Sequence, residues 1–194
     1  MLHILTNRYE VIDPYFGHGP CDVELDLGCG KGGFTLQLAS LYPERLVLGA
    51  DVMLGRLRRF WKKAWRFEYK NIEALRAENF ELVGYQLPDS CISRVHILCP
   101  DPWPKERHRH RRLITTDFLT RVARVIAPGG ILHLATDHTP YIEAQQQLIG
   151  ALPFFEWCPE GIEDVRHLTT DFKSQWENEG RVVTHLGYRV DKET

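Results

Sequence analysis

Apolar residues in this chain fall into short runs that alternate with segments of helical periodicity. Runs of strand length occupy residues 22–27, 46–50, 72–77, 92–98, 131–135 and 181–190. Apolar residues that recur every three or four positions predict helices at 33–42, 53–67, 116–127 and 139–150. Strands that alternate with helices indicate βαβ units, so the pattern predicts an α/β fold with a mostly parallel, doubly wound sheet.

Two helices carry more detailed predictions. The helix at 116–127 is expected to begin at Thr115 or Thr116 as N-cap and to stop at the Pro128–Gly130 turn. The helix at 53–67 has an apolar stripe that is predicted to face the core rather than to offer stacking surfaces: Leu57, Phe60, Trp61, Ala64 and Trp65.

The composition is that of a globular protein. The 194 residues include 43% hydrophobic residues, 24 Lys and Arg, and 26 Asp and Glu, so we expect one domain over residues 1–194. No apolar run approaches the ~18 residues of a membrane span, and the N-terminus lacks the features of a signal peptide. The five cysteines are odd in number and form no CxxC pair, which favours free thiols in a reducing cytoplasm. No cluster has metal-ligand spacing, so no metal is predicted. An obligatory protein partner is not predicted either.

A glycine loop follows the first predicted strand and opens a helix. It reads DLGCGKGG from Asp26 onward, and the next strand ends at Asp51. Gly28 and Gly30 fit both the dinucleotide pattern GxGxxG and the pattern DxGxGxG of S-adenosylmethionine (SAM) enzymes. Asp26 favours SAM, because it would repel a pyrophosphate and attract an ammonium group. The alternatives are a dinucleotide or a turn without a ligand.

A proline-rich loop follows the strand at 92–98. Its first part, PDPWP at residues 100–104, is stiff and holds Asp101 just past a strand end. Residues 105–112 then carry five basic side chains and one acid, a local charge of +4, with Lys105 and Arg111 among them. Such a cluster in a slightly acidic protein suggests phosphate binding, and the alternative is a solvated surface run.

Taken together, these segments make the chain similar to the bacterial single-chain tRNA (guanine-N7)-methyltransferases. The matching pieces occur in family order between about residues 22 and 190: DLGCGKGGF, LVLGADV, LRAEN, PDPWPKxRHxxRR, the Pro-Gly-Gly turn, ATDHTPY and TTDF. The PDPWPKxRHxxRR stretch is highly specific, whereas the glycine loop alone is not.

The resemblance implies a seven-stranded class I SAM methyltransferase sheet, Rossmann-like, with helices on both faces. It implies SAM as cofactor, tRNA as substrate, and Asn79 beside the adenine. Five residues match family positions at the guanine pocket or the RNA: Asp101, His108, Arg111, Asp137 and Thr170. One departure is Lys173, where the family usually has Glu.

Guanine N7 already carries a lone pair, so its methylation needs alignment and charge stabilisation rather than proton removal. Asp101, as the catalytic residue, and Asp137 are the candidates to accept hydrogen bonds from the guanine as it becomes cationic. Asp137 could instead cap the helix that follows it. His108 could act as a base, a phosphate or base contact, or a packing residue.

A second basic surface is predicted on the helix at 53–67, whose polar face has no acid and would suit an L-shaped RNA. Its basic residues are Arg56, Arg58, Arg59, Lys62, Lys63 and Arg66.

Two other functions stay open at this point. One is methyl transfer to another substrate, such as an exocyclic amine; the other is RNA binding without catalysis.

Overall fold

The computed structural model describes residues 1–169 and 182–192. The strands are β1 (Leu2–Ile4), β2 (Val23–Leu27), β3 (Leu46–Asp51), β4 (Ile72–Arg76), β5 (Ile92–Leu98), β6 (Ile126–Thr136), β7 (Phe155–Trp157) and β8 (Thr184–Val190). The α-helices are α1 (Gly33–Leu41), α2 (Leu54–Arg66), α3 (Asn79–Glu81), α4 (Thr116–Val125) and α5 (Thr139–Gly150). A π-helical turn spans Leu82–Gln86, and 3-10 turns span Glu106–Arg111 and Pro159–Ile162.

The described strands form one sheet in the order β1-β4-β3-β2-β5-β6-β8-β7. All neighbours are parallel except β8, which runs antiparallel to β6 and β7. The prediction of an α/β, doubly wound sheet is therefore confirmed. The count of seven strands is wrong by one, because β1 adds an eighth strand at the edge, where Leu2 pairs with Ala74 of β4.

Helices cover both faces of the sheet and define two cores. On one face, α1 and α2 pack with the segment at 159–168; on the other lie α4, α5 and the π-helical turn. The central strands are buried along their whole length on both faces, as β2 and β3 illustrate. β3 accordingly reads as an almost continuous apolar run, whereas β2 also buries two acidic residues, Glu24 and Asp26.

The end of α4 differs from the prediction. Thr115 is the N-cap, as expected, and its hydroxyl accepts from the amide of Phe118 at 3.2 Å. The helix ends at Val125, and β6 begins at the next residue. The Pro-Gly-Gly sequence is thus an irregularity inside β6, where the pairing with β5 shifts, rather than a loop that precedes the strand.

The stripe predicted for α2 is only partly buried. Leu57, Phe60 and Ala64 are fully buried, whereas Trp65 is 74% exposed. Its assignment to the core was wrong, because the helix buries a narrower arc than the stripe suggested.

Among the described residues, no helix is both long enough and apolar enough to cross a membrane.

Candidate active site

A cleft of about 760 Å³ opens beyond the carboxyl ends of the central strands. Its walls come from the loops after β2, β3 and β5, the segment after β4, and the turn between β6 and α5. Ligands of doubly wound sheets bind at this edge. Eight of the residues predicted from the sequence line the cleft: Asp26, Gly28, Gly30, Asp51, Asn79, Asp101, Arg111 and Asp137.

The glycine loop is fastened to the end of β3. The amides of Gly28 and Cys29 donate to the carbonyl of Ala50 at 2.8 and 2.9 Å, and the amide of Gly30 donates to Asp51 Oδ2 at 3.1 Å. Gly28 and Gly30 have φ angles of +85° and +59°, and no described atom lies within 4 Å of the position that a Cβ would take at either residue. The loop therefore leaves open space on its cleft side for the close approach of a ligand.

Gly32 is required for packing instead. A Cβ at this position would lie 2.0 Å from Cδ2 of Phe60, the aromatic anchor of α2, and its φ is +77°. Sequence reasoning did not single out Gly32, because a sequence does not reveal which ring will press against the loop.

Both acids of this half of the cleft are held in fixed positions. The buried carboxylate of Asp26 accepts from Thr35 Oγ1 at 2.6 Å, and Asp51 Oδ1 accepts from the amide of Met53 at 2.7 Å. Each carboxylate oxygen can accept more than one hydrogen bond. Asp51 therefore retains acceptor capacity for ligand hydroxyl groups on the cleft side.

Asn79 carries an unsatisfied acceptor at the wall of the cleft. Its Oδ1 is buried and has no hydrogen-bond partner among the described residues. An orphaned buried acceptor costs about 1–3 kcal/mol, and a ligand N–H group would remove that cost. The glycine cradle, the Asp51 acceptor and this orphaned oxygen together fit a ligand with a ribose and an amino-substituted ring, as in SAM.

The opposite wall of the cleft is the PDPWP loop, which its own basic residues hold in shape. The Arg111 guanidinium lies 5.1 Å from the centroid of the Trp103 ring, and the His108 ring meets the same indole edge-on at 5.7 Å. Trp103 has a positive φ of 40°. Asp101 is exposed and lines the cleft within this loop.

Arg112 anchors the loop to the protein body. Its Nε donates to the carbonyl of Pro102 at 2.8 Å, and its guanidinium lies 4.9 Å from the ring centroid of Tyr141 in α5. Burial raises the pKa of Tyr141, so its ring stays neutral. The sequence placed Arg112 in the basic run, but the structure gives it a positioning role.

Asp137 follows β6 and lines the cleft. The N-cap of α5 is the next residue, His138, whose Nδ1 accepts from the amide of Tyr141 at 3.2 Å. The alternative that Asp137 caps this helix is therefore wrong.

The remaining predicted residues are less central. Lys105 is exposed and His108 is half-buried, and neither lines the cleft; both belong to the basic rim outside it. Thr170 and Lys173 lie outside the described residues. Cleft-lining side chains that the sequence did not single out for this site include Trp103, Arg56 and His138.

A buried ionic network lies in the sheet beneath the cleft. Glu24 accepts from Arg94 Nε at 2.9 Å and pairs with His96 Nε2 at 2.9 Å, while Arg94 also binds Asp164. Burial alone would raise the pKa of Glu24, but His96 and Arg94 outweigh it and lower that pKa to about 2. Burial lowers the pKa of His96.

The network continues across the sheet as a row of histidines. His96 Nδ1 lies 2.9 Å from His133 Nδ1, and His133 Nε2 lies 2.9 Å from His185 Nδ1. His133 itself is completely buried within β6. Alternating strand positions gave no sign that three histidines from three strands would meet.

No group of three or more potential ligands could hold a metal ion within the described part of the chain. The five cysteines are free thiols.

Comparison with known proteins agrees with the fold and the cleft. The 16S rRNA methyltransferase KamB superposes with a TM-score of 0.69 at 21% identity, over 94% of this chain and 95% of that one. SMU.1697c of Streptococcus mutans, described as "a putative methyltransferase" and solved in complex with S-adenosylhomocysteine, superposes with a TM-score of 0.56 at 13% identity, over 88% of this chain and 90% of that one. These likenesses, with the sheet order and the glycine loop, define the fold of a class I SAM-dependent methyltransferase.

Sequence relatives define the family more closely. The model of a family described as "Putative methyltransferase" matches residues 21–186. The tRNA (guanine-N(7)-)-methyltransferase of Corynebacterium efficiens is 30% identical over 179 residues, which cover 89% of this chain and 70% of the relative. The chain therefore belongs to the tRNA (guanine-N(7)-)-methyltransferase family, as its motifs predicted.

Proposed function

We propose that this protein transfers the methyl group of SAM to N7 of a guanine in tRNA. The observation that carries the proposal is that one cleft joins two unlike walls. One wall has the glycine loop, Asp51 and the orphaned oxygen of Asn79; the other has Asp101, Asp137 and Arg111. A cofactor half and a substrate half that face each other are what a bimolecular group transfer requires.

The first wall would hold the cofactor. Asp51 accepts from the ribose hydroxyls, Asn79 Oδ1 accepts from the adenine amino group, and Gly28 and Gly30 let the backbone approach the ligand closely. Asp26 supplies negative charge near the amino-acid part. When bound, SAM supplies an electrophilic methyl group on a cationic sulfur.

The second wall would hold the guanine. N7 presents its own lone pair, so no residue has to remove a proton first. Asp101 and Asp137 accept from guanine N1–H and N2–H and stabilise the positive charge that the ring gains as N7 is alkylated. Two carboxylates on one wall also select guanine over adenine, which would present an acceptor at N1.

The basic rim would position the RNA. Arg111 lies at the boundary between the cleft and the loop, and Lys105 and His108 continue outward from it. Contacts of this kind to phosphates fix register and orientation without reading sequence. Thr170 is proposed as a further substrate contact on the strength of the motif match alone.

The proposal is tested by incubating the protein with methyl-labelled SAM and unmodified tRNA, and by identifying the labelled nucleoside after complete digestion. The expected product is 7-methylguanosine. Label on an exocyclic amine would indicate a different amino-methylating reaction, and SAM binding without transfer to any RNA would indicate a binding module. Either result overturns the proposal.

A further inference from the structure

Beyond the cleft, α2 presents a solvent-exposed face made of positive charge. We define the α2 basic face as the five exposed residues Arg58, Arg59, Lys62, Lys63 and Arg66. None of them forms an ion pair within the described part of the chain, whereas other arginines, such as Arg121 and Arg189, are paired with acids. Five unpaired cations on one short helix repel one another, so they favour an anionic partner.

Two large aromatic side chains stand beside this face. Trp65 is 74% exposed and Phe67 is 65% exposed. Trp65 lies one helical turn from Lys62, and the Arg66 guanidinium is 5.9 Å from the Phe67 ring centroid. An exposed indole among cations matches the stacking platforms that bind unpaired bases.

The face is continuous with the active-site cleft. Arg56, in the first turn of α2, lines the cleft, and Lys63 Nζ reaches the carbonyl of Lys31 in the glycine loop at 3.4 Å. The helix has 13 residues and so extends about 20 Å. A row of cations therefore leads from the mouth of the cleft along the helix.

We propose that the α2 basic face and Trp65 form a second RNA-binding surface, which holds a part of the substrate tRNA away from the target guanine. The cations contact phosphates, and Trp65 stacks on an unpaired base. The inference rests on the proposed function, because it takes the substrate of the cleft to be tRNA.

A basic amphipathic helix can also bind anionic membranes, but α2 lacks what that mode needs. Membrane-surface helices bury their apolar side in the lipid. In this protein that side, made of Leu57, Phe60 and Ala64, has no exposed area because it packs in the core. RNA requires only the outer face and is the better match.

The test compares variants that remove equal charge. Arg58→Ala/Arg66→Ala removes two cations from the α2 basic face. Arg121→Ala/Arg189→Ala removes two ion-paired arginines elsewhere and serves as the matched control. The dissociation constant for tRNA is measured over a series of salt concentrations. We expect the slope of log K against log salt to fall by about two in the first variant and to stay at the wild-type value in the control.

Trp65→Ala tests the stacking contact. We expect tRNA affinity to fall about five- to one-hundredfold with no change in salt slope, because stacking is not an ionic contact. At saturating tRNA, the single-turnover rate of methyl transfer should match wild type in all α2 variants, since none of these residues lies in the cleft.

Three results separate this inference from the proposed function. If wild type makes 7-methylguanosine but the α2 variants keep wild-type affinity and salt slope, the second surface is wrong and the function stands. If wild type makes no 7-methylguanosine, the proposed function itself is wrong. If Arg58→Ala/Arg66→Ala loses binding to phosphatidylserine vesicles and keeps tRNA binding, the surface binds lipid and the inference is overturned.

Discussion

The amide of Gly30 donates a hydrogen bond to Asp51 Oδ2 at 3.1 Å, which joins the glycine loop to the end of the neighbouring strand. The same carboxylate accepts from Met53 through its other oxygen. One side chain therefore shapes the loop, orients the start of α2 and faces the cleft.

Asp51→Ala should weaken SAM binding by roughly 1–3 kcal/mol, because it removes both a ligand acceptor and the tether of the loop. Isothermal titration calorimetry measures the change. Asp117→Ala, which removes an exposed carboxylate in α4, is the matched control and should bind SAM like wild type. Binding of NAD in place of SAM by the wild-type protein would refute the cofactor assignment.

Asn79→Ala should lower SAM affinity by about 1–2 kcal/mol while leaving the unliganded protein as stable as wild type or more so, because the orphaned buried oxygen disappears. An analogue whose adenine amino group is replaced by oxygen provides the sharper measurement. Wild type should prefer SAM to this analogue, and Asn79→Ala should bind the two equally. Equal discrimination in both proteins would mean that Oδ1 contacts another part of the ligand.

Gly30 and Gly32 should respond differently to alanine. Gly32→Ala adds a clash with Phe60 to the strain of a positive φ, so we expect a loss of about 2–4 kcal/mol in the free energy of unfolding. Gly30→Ala meets only the backbone strain, about 1–2 kcal/mol, but fills the cradle and should weaken SAM binding strongly. Urea denaturation and calorimetry separate the two effects, and equal stability losses would argue against the packing role of Gly32.

The free energy of unfolding should fall in two stages as the pH is lowered. The pKa of His96 is lowered below its usual 6.5, so the unfolded state binds its proton first, and stability is lost as pH falls through the unfolded value near 6.5. The pKa of Glu24 is lowered from 4.5 to about 2, so its contribution is present above 4.5 and is lost between 4.5 and 2. The titration of Glu24 should lower the free energy of unfolding by roughly 3 kcal/mol.

Urea denaturation across this pH range provides the measurement. His96→Gln should abolish the stage near pH 6.5 and reduce the one at lower pH, because Arg94 alone would then hold the pKa of Glu24 down. A wild-type unfolding free energy that stays constant between pH 7 and pH 5 would show that His96 titrates normally.

The sequence predicted most of the sheet because its central strands are short segments rich in apolar residues that alternate with segments of helical periodicity. β1 was not predicted, because it is too short to stand out as such a segment. It has three residues and pairs with Leu75 and its neighbours, about 70 positions away, so nothing local marks it as a strand. Helix periodicity gave the position of α2 but not the width of its buried arc, and Trp65 was misassigned as a result.

The site was predictable where chemistry and strand ends coincide, as for Asp26, Asp51 and Asp101. What the sequence could not give was the partner of each side chain. His138 rather than Asp137 caps α5, and Arg112 turns back onto the PDPWP loop instead of facing outward. Both outcomes depend on tertiary contacts between segments that local patterns treat as independent.

The central claim is that Asp101 stabilises the guanine as it becomes cationic and makes no contribution to cofactor binding. Asn in place of Asp101 keeps the size of the side chain and removes its charge. The most direct measurement is the single-turnover rate of 7-methylguanosine formation by Asp101→Asn, at saturating SAM and tRNA. We predict a decrease of about 100-fold or more, with SAM affinity and melting temperature at wild-type values. A wild-type single-turnover rate would contradict the account and place the guanine elsewhere.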